Sequence, residues 1–170
     1  EETDGAKLCG VYYGYFEGVR PQTQGGHLDL DYLQASPYVD YFVAPYSYSH
    51  RLMGDDGRLR SLAAAHRLGG KPHILEGDIR TYLHRRDEYG RTQNVQQSLA
   101  AITREFSTAL IEGTGFWWVD FGPMGVGGWF DDPALRERAR VLQTVAKRAL
   151  AEPHPPVAQV ALVADRKSVV

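Results

Sequence analysis

The chain has 170 residues, of which 43% are hydrophobic and 24% are charged, a balance typical of one soluble globular domain. Its 19 basic and 21 acidic side chains give a net charge of −2 at pH 7, which excludes the strongly basic surface that nucleic-acid binding requires. No apolar run approaches the roughly 20 residues that span a bilayer, and no basic, hydrophobic leader opens the chain. We therefore expect no nucleic-acid partner, no membrane partner and, by default, a cytoplasmic location.

Four short apolar or aromatic runs, each bounded by Gly, Pro or Asp, alternate with four helical patterns. The runs predict strands at residues 8–16, 39–45, 72–76 and 115–121. The amphipathic patterns predict helices at residues 27–35, 58–68, 94–112 and 133–150. Because strands that alternate with helices form parallel sheets through right-handed crossovers, the predicted fold class is α/β.

Local signals mark two of the helix ends. The pair Gly69-Gly70 closes the second helix, where a left-handed backbone conformation is favoured. The pair Asp132-Pro133 opens the fourth helix with an N-cap followed by proline at the first helical position. Both signals agree with the boundaries that the hydrophobic periodicity predicts.

A change in composition after residue 151 predicts a domain boundary. Residues 152–156 read Glu-Pro-His-Pro-Pro, a stiff linker, and the apolar run at 157–163 predicts a new strand. We assign residues 1–151 to four βα units and residues 152–170 to the linker and the start of a following domain. A complete (β/α)8 barrel takes roughly 250 residues, so four units fit half a barrel. Since the chain starts without Met and stops just after an apolar run, we expect a fragment of a longer protein.

Glu76 is the strongest candidate for a catalytic residue. It ends the third predicted strand, and active sites of α/β barrels lie at the C-terminal ends of strands. The alternative role is a structural carboxylate paired with Arg80. The two-residue period of a strand places Glu76 and Asp78 on one face and His73 on the other, which disfavours a metal held by His73 and Glu76. We expect no metal and no cofactor, and we expect Asp78 and Arg80 to support Glu76 or bind a ligand.

Aromatic residues follow the fourth predicted strand. The same period places Phe116, Trp118 and Asp120 on one face, from which a ring and an acid could reach the mouth of the sheet. Rings pack against the C–H face of a sugar, and carboxylates bind its hydroxyls. For Trp118 and Trp129, sugar stacking and core packing are equally good interpretations. Trp117 is predicted to lie between the sheet and the helices.

Polar residues also follow the first two predicted strands. Tyr46, Tyr48 and Arg51 could orient a substrate or keep Glu76 ionised, although loop packing explains Tyr46 equally well. Glu17 offers a second carboxylate beyond the first strand. We prefer a role for Glu17 at the rim of the site over one as the catalytic acid.

The order of these motifs resembles the second half of the barrel in β-galactosidase-like glycoside hydrolases of family 42. The resemblance covers residues 7–150 and is carried by the segments Gly26-His-Leu, Ser36-Pro, Val39-Asp-Tyr-Phe, Ala44-Pro-Tyr-Ser-Tyr, Gly70-Lys-Pro, Glu76-Gly-Asp-Ile-Arg-Thr and Trp117-Trp-Val-Asp. It implies βα units five to eight of a retaining glycosidase, with Glu76 as the nucleophile of strand seven. It also implies that Trp118 is the sugar-site aromatic of strand eight. The family's acid/base, a Glu after Asn at the end of strand four, has no counterpart here.

The expected function is therefore the hydrolysis of glycosidic bonds, with β-galactosides as the substrate class that the resemblance implies. One alternative is a non-catalytic carbohydrate-binding barrel or an enzyme remnant. Another is a barrel isomerase or aldolase, which would need a metal or a Schiff-base lysine, but Lys71 stands at the wrong end of its strand. Half a barrel exposes the sheet edges at residues 8–16 and 115–121, so we expect a homo-oligomer formed through these edges.

Overall fold

The computed structural model describes residues 5–15, 26–122, 128–152 and 157–160. Strands and helices alternate in chain order as β1 (Gly10–Tyr12), α1 (Leu30–Ala35), β2 (Tyr41–Pro45), α2 (Ala63–Leu68), β3 (His73–Gly77), α3 (Val95–Glu112), β4 (Gly115–Trp118) and α4 (Pro133–Ala151). The four strands form one parallel sheet in the order β1-β2-β3-β4. The predicted α/β class is confirmed, and each of the four strands and four helices predicted within residues 1–151 has a counterpart.

Five of these elements, β1, α1, β2, α2 and β4, are at least two residues shorter than the sequence predicted. β1 ends before Gly14, whose φ of +85° breaks the extended backbone. α2 begins at Ala63 rather than near residue 58, because Leu59 forms an antiparallel bridge to Tyr46 and Ser61 forms one to Tyr15. α1 begins at Leu30, three residues after its predicted start. Residues 58–62, which the sequence predicted to be helical, therefore belong to the loop region beyond β1 and β2.

The helix-end signals act as the sequence predicted. The Asp132 carboxylate accepts hydrogen bonds from the amides of Ala134 at 2.7 Å and Leu135 at 3.2 Å, and Pro133 is the first helical residue. Gly70 has φ +74°, the left-handed conformation that suits glycine after a helix. These contacts satisfy backbone groups that helix ends leave unpaired.

All four described helices pack on the same face of the sheet. α3 and α4 cover Leu75, which is fully buried, and α1 and α2 cover Phe42, also fully buried. The opposite face carries Tyr12, Val43 and Ile74, which are neighbours in the strand register, together with Glu76 and Trp117. We call it the open face. Tyr12 on this face is 49% exposed. The strand order and the one-sided helices together describe a singly wound sheet.

Only a small part of the predicted second domain lies within the described residues. Residues 157–160 have no regular secondary structure, and the rest of the predicted strand, 161–163, lies outside the described residues. The division at residue 151 therefore stays a prediction. Within the described ranges, no helix is both long enough and apolar enough to cross a membrane.

Candidate active site

Glu76 lies on the open face at the C-terminal end of β3, in register with Trp117 of β4. The hydroxyl of Tyr12, on β1, donates a hydrogen bond of 2.7 Å to Glu76 Oε1. The predicted alternative, an ion pair between Glu76 and Arg80, is wrong. Arg80 instead places its Nε atom 3.1 Å from Glu88 Oε2. Glu76 is thus held by a neutral donor and keeps its carboxylate available.

Three tyrosines surround this carboxylate. Burial, followed by the hydrogen bond to Glu76, raises the pKa of Tyr12 above its usual range. Burial also raises the pKa of Tyr15 and the pKa of Tyr48, and the negative charge of Glu76 acts in the same direction on both. The phenols therefore stay protonated at neutral pH, so Tyr12 remains a hydrogen-bond donor to the carboxylate.

Arg51 forms a buried ion pair with Asp78. The Arg51 side chain is fully buried and that of Asp78 is 7% exposed, and both terminal nitrogens of Arg51 lie 3.3 Å from Asp78 Oδ2. The Nε atom of Arg51 also donates to the Ser47 carbonyl at 3.2 Å. The prediction that Arg51 keeps Glu76 ionised is therefore wrong, because its charge is directed to Asp78. Its burial also excludes direct contact with a substrate.

The guanidinium group of Arg51 belongs to a stack of alternating tyrosine rings and arginine cations. Its carbon lies 4.1 Å from the ring centre of Tyr46 and 3.9 Å from that of Tyr48. Arg60 follows, 4.5 Å from the ring of Tyr48 and 4.5 Å from the ring of Tyr15. Tyr46 is only 1% exposed, so the prediction of substrate contact is wrong for this residue and packing is its role. Cation–π contacts at such desolvated positions contribute about 0.5 to 2 kcal/mol each.

Helix α3 braces the loop that carries Arg51. Arg104 donates from Nη1 to the carbonyl oxygens of Leu52 at 2.8 Å and Asp55 at 3.0 Å. Its Nη2 atom lies 2.9 Å from Oε1 of Glu105, which is fully buried. Burial raises the pKa of Glu105 to about 8, against the opposite effect of Arg104. The loop beneath the site is therefore fixed by the partly buried guanidinium group of Arg104.

A cavity of about 610 Å³ opens beside this network and brings together four of the predicted residues. These are Tyr48, Asp78, Arg80 and Trp129, and the remaining lining residues are Leu83, His84, Arg85, Arg86, Glu88 and Phe121. Tyr48 is 40% exposed, whereas Trp129 is only 7% exposed and packs edge-on against His84 with ring centres 4.8 Å apart. The cavity has the mixed aromatic and polar lining that is typical of small-molecule sites.

The two tryptophans of β4 have the opposite orientation from the one predicted. Trp118 packs against Phe116 and Phe130 with ring centres 4.6 and 5.7 Å apart, on the side of the helices. Trp117 is in register with Glu76 and so shares the open face. Of the two interpretations of Trp118, core packing agrees with these contacts, and the sugar-site role that the resemblance implied does not. The aromatic run Phe-Trp-Trp fits either face, and only pairing with β3 decides between them.

Asp120 shapes the loop after β4. Its Oδ1 atom accepts hydrogen bonds from the amides of Gly122 at 2.7 Å and Trp129 at 2.9 Å, so it fastens Trp129 to the end of the strand. A positioning role thus accounts for its contacts better than ligand binding. Glu17 lies outside the described residues, and its predicted role at the rim stays a prediction.

Sequence reasoning missed two residues that contribute to this site, Tyr12 and Arg60. Strand alternation in β1 separates Tyr12 from Val11 and Tyr13, which pack with the helices, and could have found it. No local pattern marks Arg60, since its place in the stack depends on the bridges formed by Leu59 and Ser61.

Groups that would support other barrel chemistries are held elsewhere. Lys71 Nζ donates to the carbonyl oxygens of Ser36 at 2.5 Å and Leu33 at 3.4 Å, at the N-terminal end of β3. Within the part of the chain that the structure describes, no group of three or more His, Cys, Asp or Glu side chains could hold a metal ion. The described geometry therefore offers carboxylate chemistry at Glu76.

The fold and site define an α/β protein with a singly wound parallel sheet and a carboxylate at the C-terminal end of its third strand. Comparisons of the chain with protein-family models, with curated proteins and with solved structures gave no match.

Proposed function

We propose that residues 1–151 form the second half of a (β/α)8 barrel, and that residues 152–170 lead into a further domain. The support is the singly wound sheet, whose four helices all lie on one face, while Tyr12 on the open face is 49% exposed. Parallel sheets are normally buried on both faces, and in a barrel the sheet buries its inner face by closing on itself. Four more βα units would cover Tyr12, Ile74 and Trp117 in this way.

Within such a barrel, Glu76 would act as the nucleophile of a retaining glycoside hydrolase similar to family 42. The observation that carries this proposal is the position of Glu76 at the C-terminal end of β3, on the open face and bonded to Tyr12 at 2.7 Å. A hydrogen bond from a protonated phenol orients the carboxylate while leaving Oε2 free to attack. A carboxylate held in this way is better placed to act as a nucleophile than a carboxylate held in a structural ion pair.

The reaction would proceed in two displacement steps. Glu76 attacks the anomeric carbon while an acid from the other half of the barrel, about 5 to 5.5 Å away, protonates the leaving oxygen. The same group then removes a proton from the water that hydrolyses the glycosyl-enzyme. Tyr48 and Trp129 would contact the sugar ring, and Asp78 and Arg80 would bind its hydroxyls. β-Galactosides are the substrates that the resemblance to family 42 implies.

Turnover of an aryl β-galactoside by the chain extended with the four missing units tests this proposal. Glu76→Gln should abolish turnover, because the amide cannot form the glycosyl ester. Glu112→Gln, which changes an exposed carboxylate at the end of α3, is the matched control and should retain full turnover. Unchanged turnover in Glu76→Gln would refute the assignment.

A second candidate function is a barrel that binds carbohydrate without catalysis. The observation that favours it is that Glu76 is the only carboxylate among the residues of the four described strands. Glycosidic bond cleavage normally needs two carboxylates. This function predicts sugar binding without a covalent adduct, which separates it from the first.

We also propose that the isolated chain associates with itself. β1 and β4 are the two edges of the described sheet, and unpaired strand edges recruit partners. Two copies that pair β4 of one with β1 of the other would approximate a closed barrel and would cover both open faces.

A further inference from the structure

The cavity lined by Tyr48, Asp78 and Arg80 contains more guanidinium groups than its carboxylates can neutralise. Asp78 is shared between Arg51, at 3.3 Å, and Arg80, at 3.9 Å. Glu88 is likewise shared, lying 3.1 Å from Arg80 and 3.8 Å from Arg86. Each carboxylate therefore already serves two cations before any ligand binds.

Arg85 adds a further positive charge to the cavity lining. Its side chain is exposed, and within the described residues it forms no ion pair. Among the lining residues, the three guanidinium groups of Arg80, Arg85 and Arg86 stand against the two carboxylates of Asp78 and Glu88. Partly enclosed sites focus such an excess of one charge and attract ligands of the opposite sign.

The other lining groups suit a sugar ring. Phe121 is 69% exposed and lies edge-on to Trp129 with ring centres 5.7 Å apart, which offers an apolar surface for C–H groups. Asp78 lines the same cavity, and its Oδ1 atom has no hydrogen-bond partner among the described residues. A buried carboxylate oxygen without a partner can accept a hydrogen bond from a ligand hydroxyl.

From this combination we propose that the cavity selects an anionic pyranoside, whose carboxylate or sulfate group pairs with Arg85. The inference rests on the proposed carbohydrate function and narrows its substrate class. Guanidinium groups bind carboxylate and sulfate oxygens through paired, charge-assisted hydrogen bonds. Neutral galactosides would leave the excess positive charge of the cavity without a partner.

Binding to the chain itself tests the proposal. The Trp129 indole N–H resonance would be followed by NMR during titration with 4-nitrophenyl β-glucoside, its 6-sulfate and 4-nitrophenyl β-glucuronide, and with the corresponding galactoside and galacturonide. We expect each anionic glycoside to bind about tenfold more tightly than its neutral counterpart at low salt, and this preference to weaken as salt is added. Tighter binding of the sulfate than of the glucuronide, or the reverse, identifies which anion the site takes.

Arg85→Gln should remove most of the preference while leaving the affinity for neutral glycosides unchanged. Arg148→Gln, which changes an exposed arginine on α4 that does not line the cavity, should leave the preference intact. Equal affinities for neutral and anionic glycosides, or a full preference in Arg85→Gln, would overturn this inference and leave the carbohydrate function standing. Absence of binding for every glycoside would overturn both.

Discussion

Removing the charge of Arg51 should destabilise the fold far more than removing the charge of an exposed arginine. In Arg51→Met the side chain keeps an apolar stem between the rings of Tyr46 and Tyr48, but Asp78 loses its nearest cation. Asp78 is 7% exposed at its side chain, so its charge would stay buried with only Arg80, 3.9 Å away, to compensate it. This is the condition in which breaking an ion pair has its largest effect.

The expected loss in the free energy of unfolding is up to about 3 to 5 kcal/mol, the effect of removing one member of a buried pair, and the remaining contact with Arg80 reduces it. In the double variant Arg51→Met/Asp78→Asn the poorly compensated charge of Asp78 is absent, so this variant should be more stable than Arg51→Met alone. The matched control is Arg58→Met, because Arg58 and its partner Asp56 have side chains that are 56% and 55% exposed. Exposed pairs contribute little, so this control should barely move the unfolding midpoint.

Urea unfolding, followed by far-UV circular dichroism and tryptophan fluorescence, measures these differences. Coincident transitions by the two probes would justify two-state analysis. A loss below about 1 kcal/mol in Arg51→Met would refute the reasoning, because the pair would then behave like an exposed one. A double variant less stable than Arg51→Met would also contradict it.

Three further predictions concern acid stability, catalysis and assembly. Burial lowers the pKa of His73 to about 3, so the native state resists the proton that the unfolded chain accepts near about pH 6.5. Stability should therefore be complete above that pH and fall by about 2 kcal/mol between about pH 7.5 and about pH 5. His73→Gln, which can keep the bond to Ser61, should flatten this slope in urea titrations, and an unchanged slope would contradict the assignment. In the extended protein, Tyr12→Phe should lower kcat by about tenfold or more through loss of the bond to Glu76, and an unaltered kcat would exclude that role. Sedimentation of the isolated chain should show a mass that rises with concentration, whereas a strict monomer at high concentration would count against edge pairing.

The arrangement of the fold could be predicted from the sequence because its signals are local. Period-two and period-3.6 patterns identify the strands and helices, and Asp132-Pro133 marks the start of α4 through contacts with its own first turn. The starts of α1 and α2 were less predictable. Leu59 and Ser61 leave the helical pattern because they bridge Tyr46 and Tyr15, which are distant in sequence.

Site residues whose location follows from their position along a strand could be predicted. Those whose location depends on their contact partners could not. Glu76 follows from the end of β3, and the open face follows from strand alternation. The face of the sheet that Trp117 and Trp118 each occupy depends on the register between β3 and β4, which cannot be read from the sequence. The pairing of Arg51 with Asp78 rather than Glu76 depends on the path of a loop, which no periodicity encodes.

The central claim is that Glu76 becomes covalently attached to the substrate. The most direct measurement is peptide mass mapping of the extended protein after reaction with an activated 2-fluoro glycoside, which traps the glycosyl-enzyme of a retaining glycosidase. We expect one added fluorosugar, located on the peptide that contains Glu76 and absent in Glu76→Gln. A label on a different carboxylate, or sugar binding with no label at all, would contradict it.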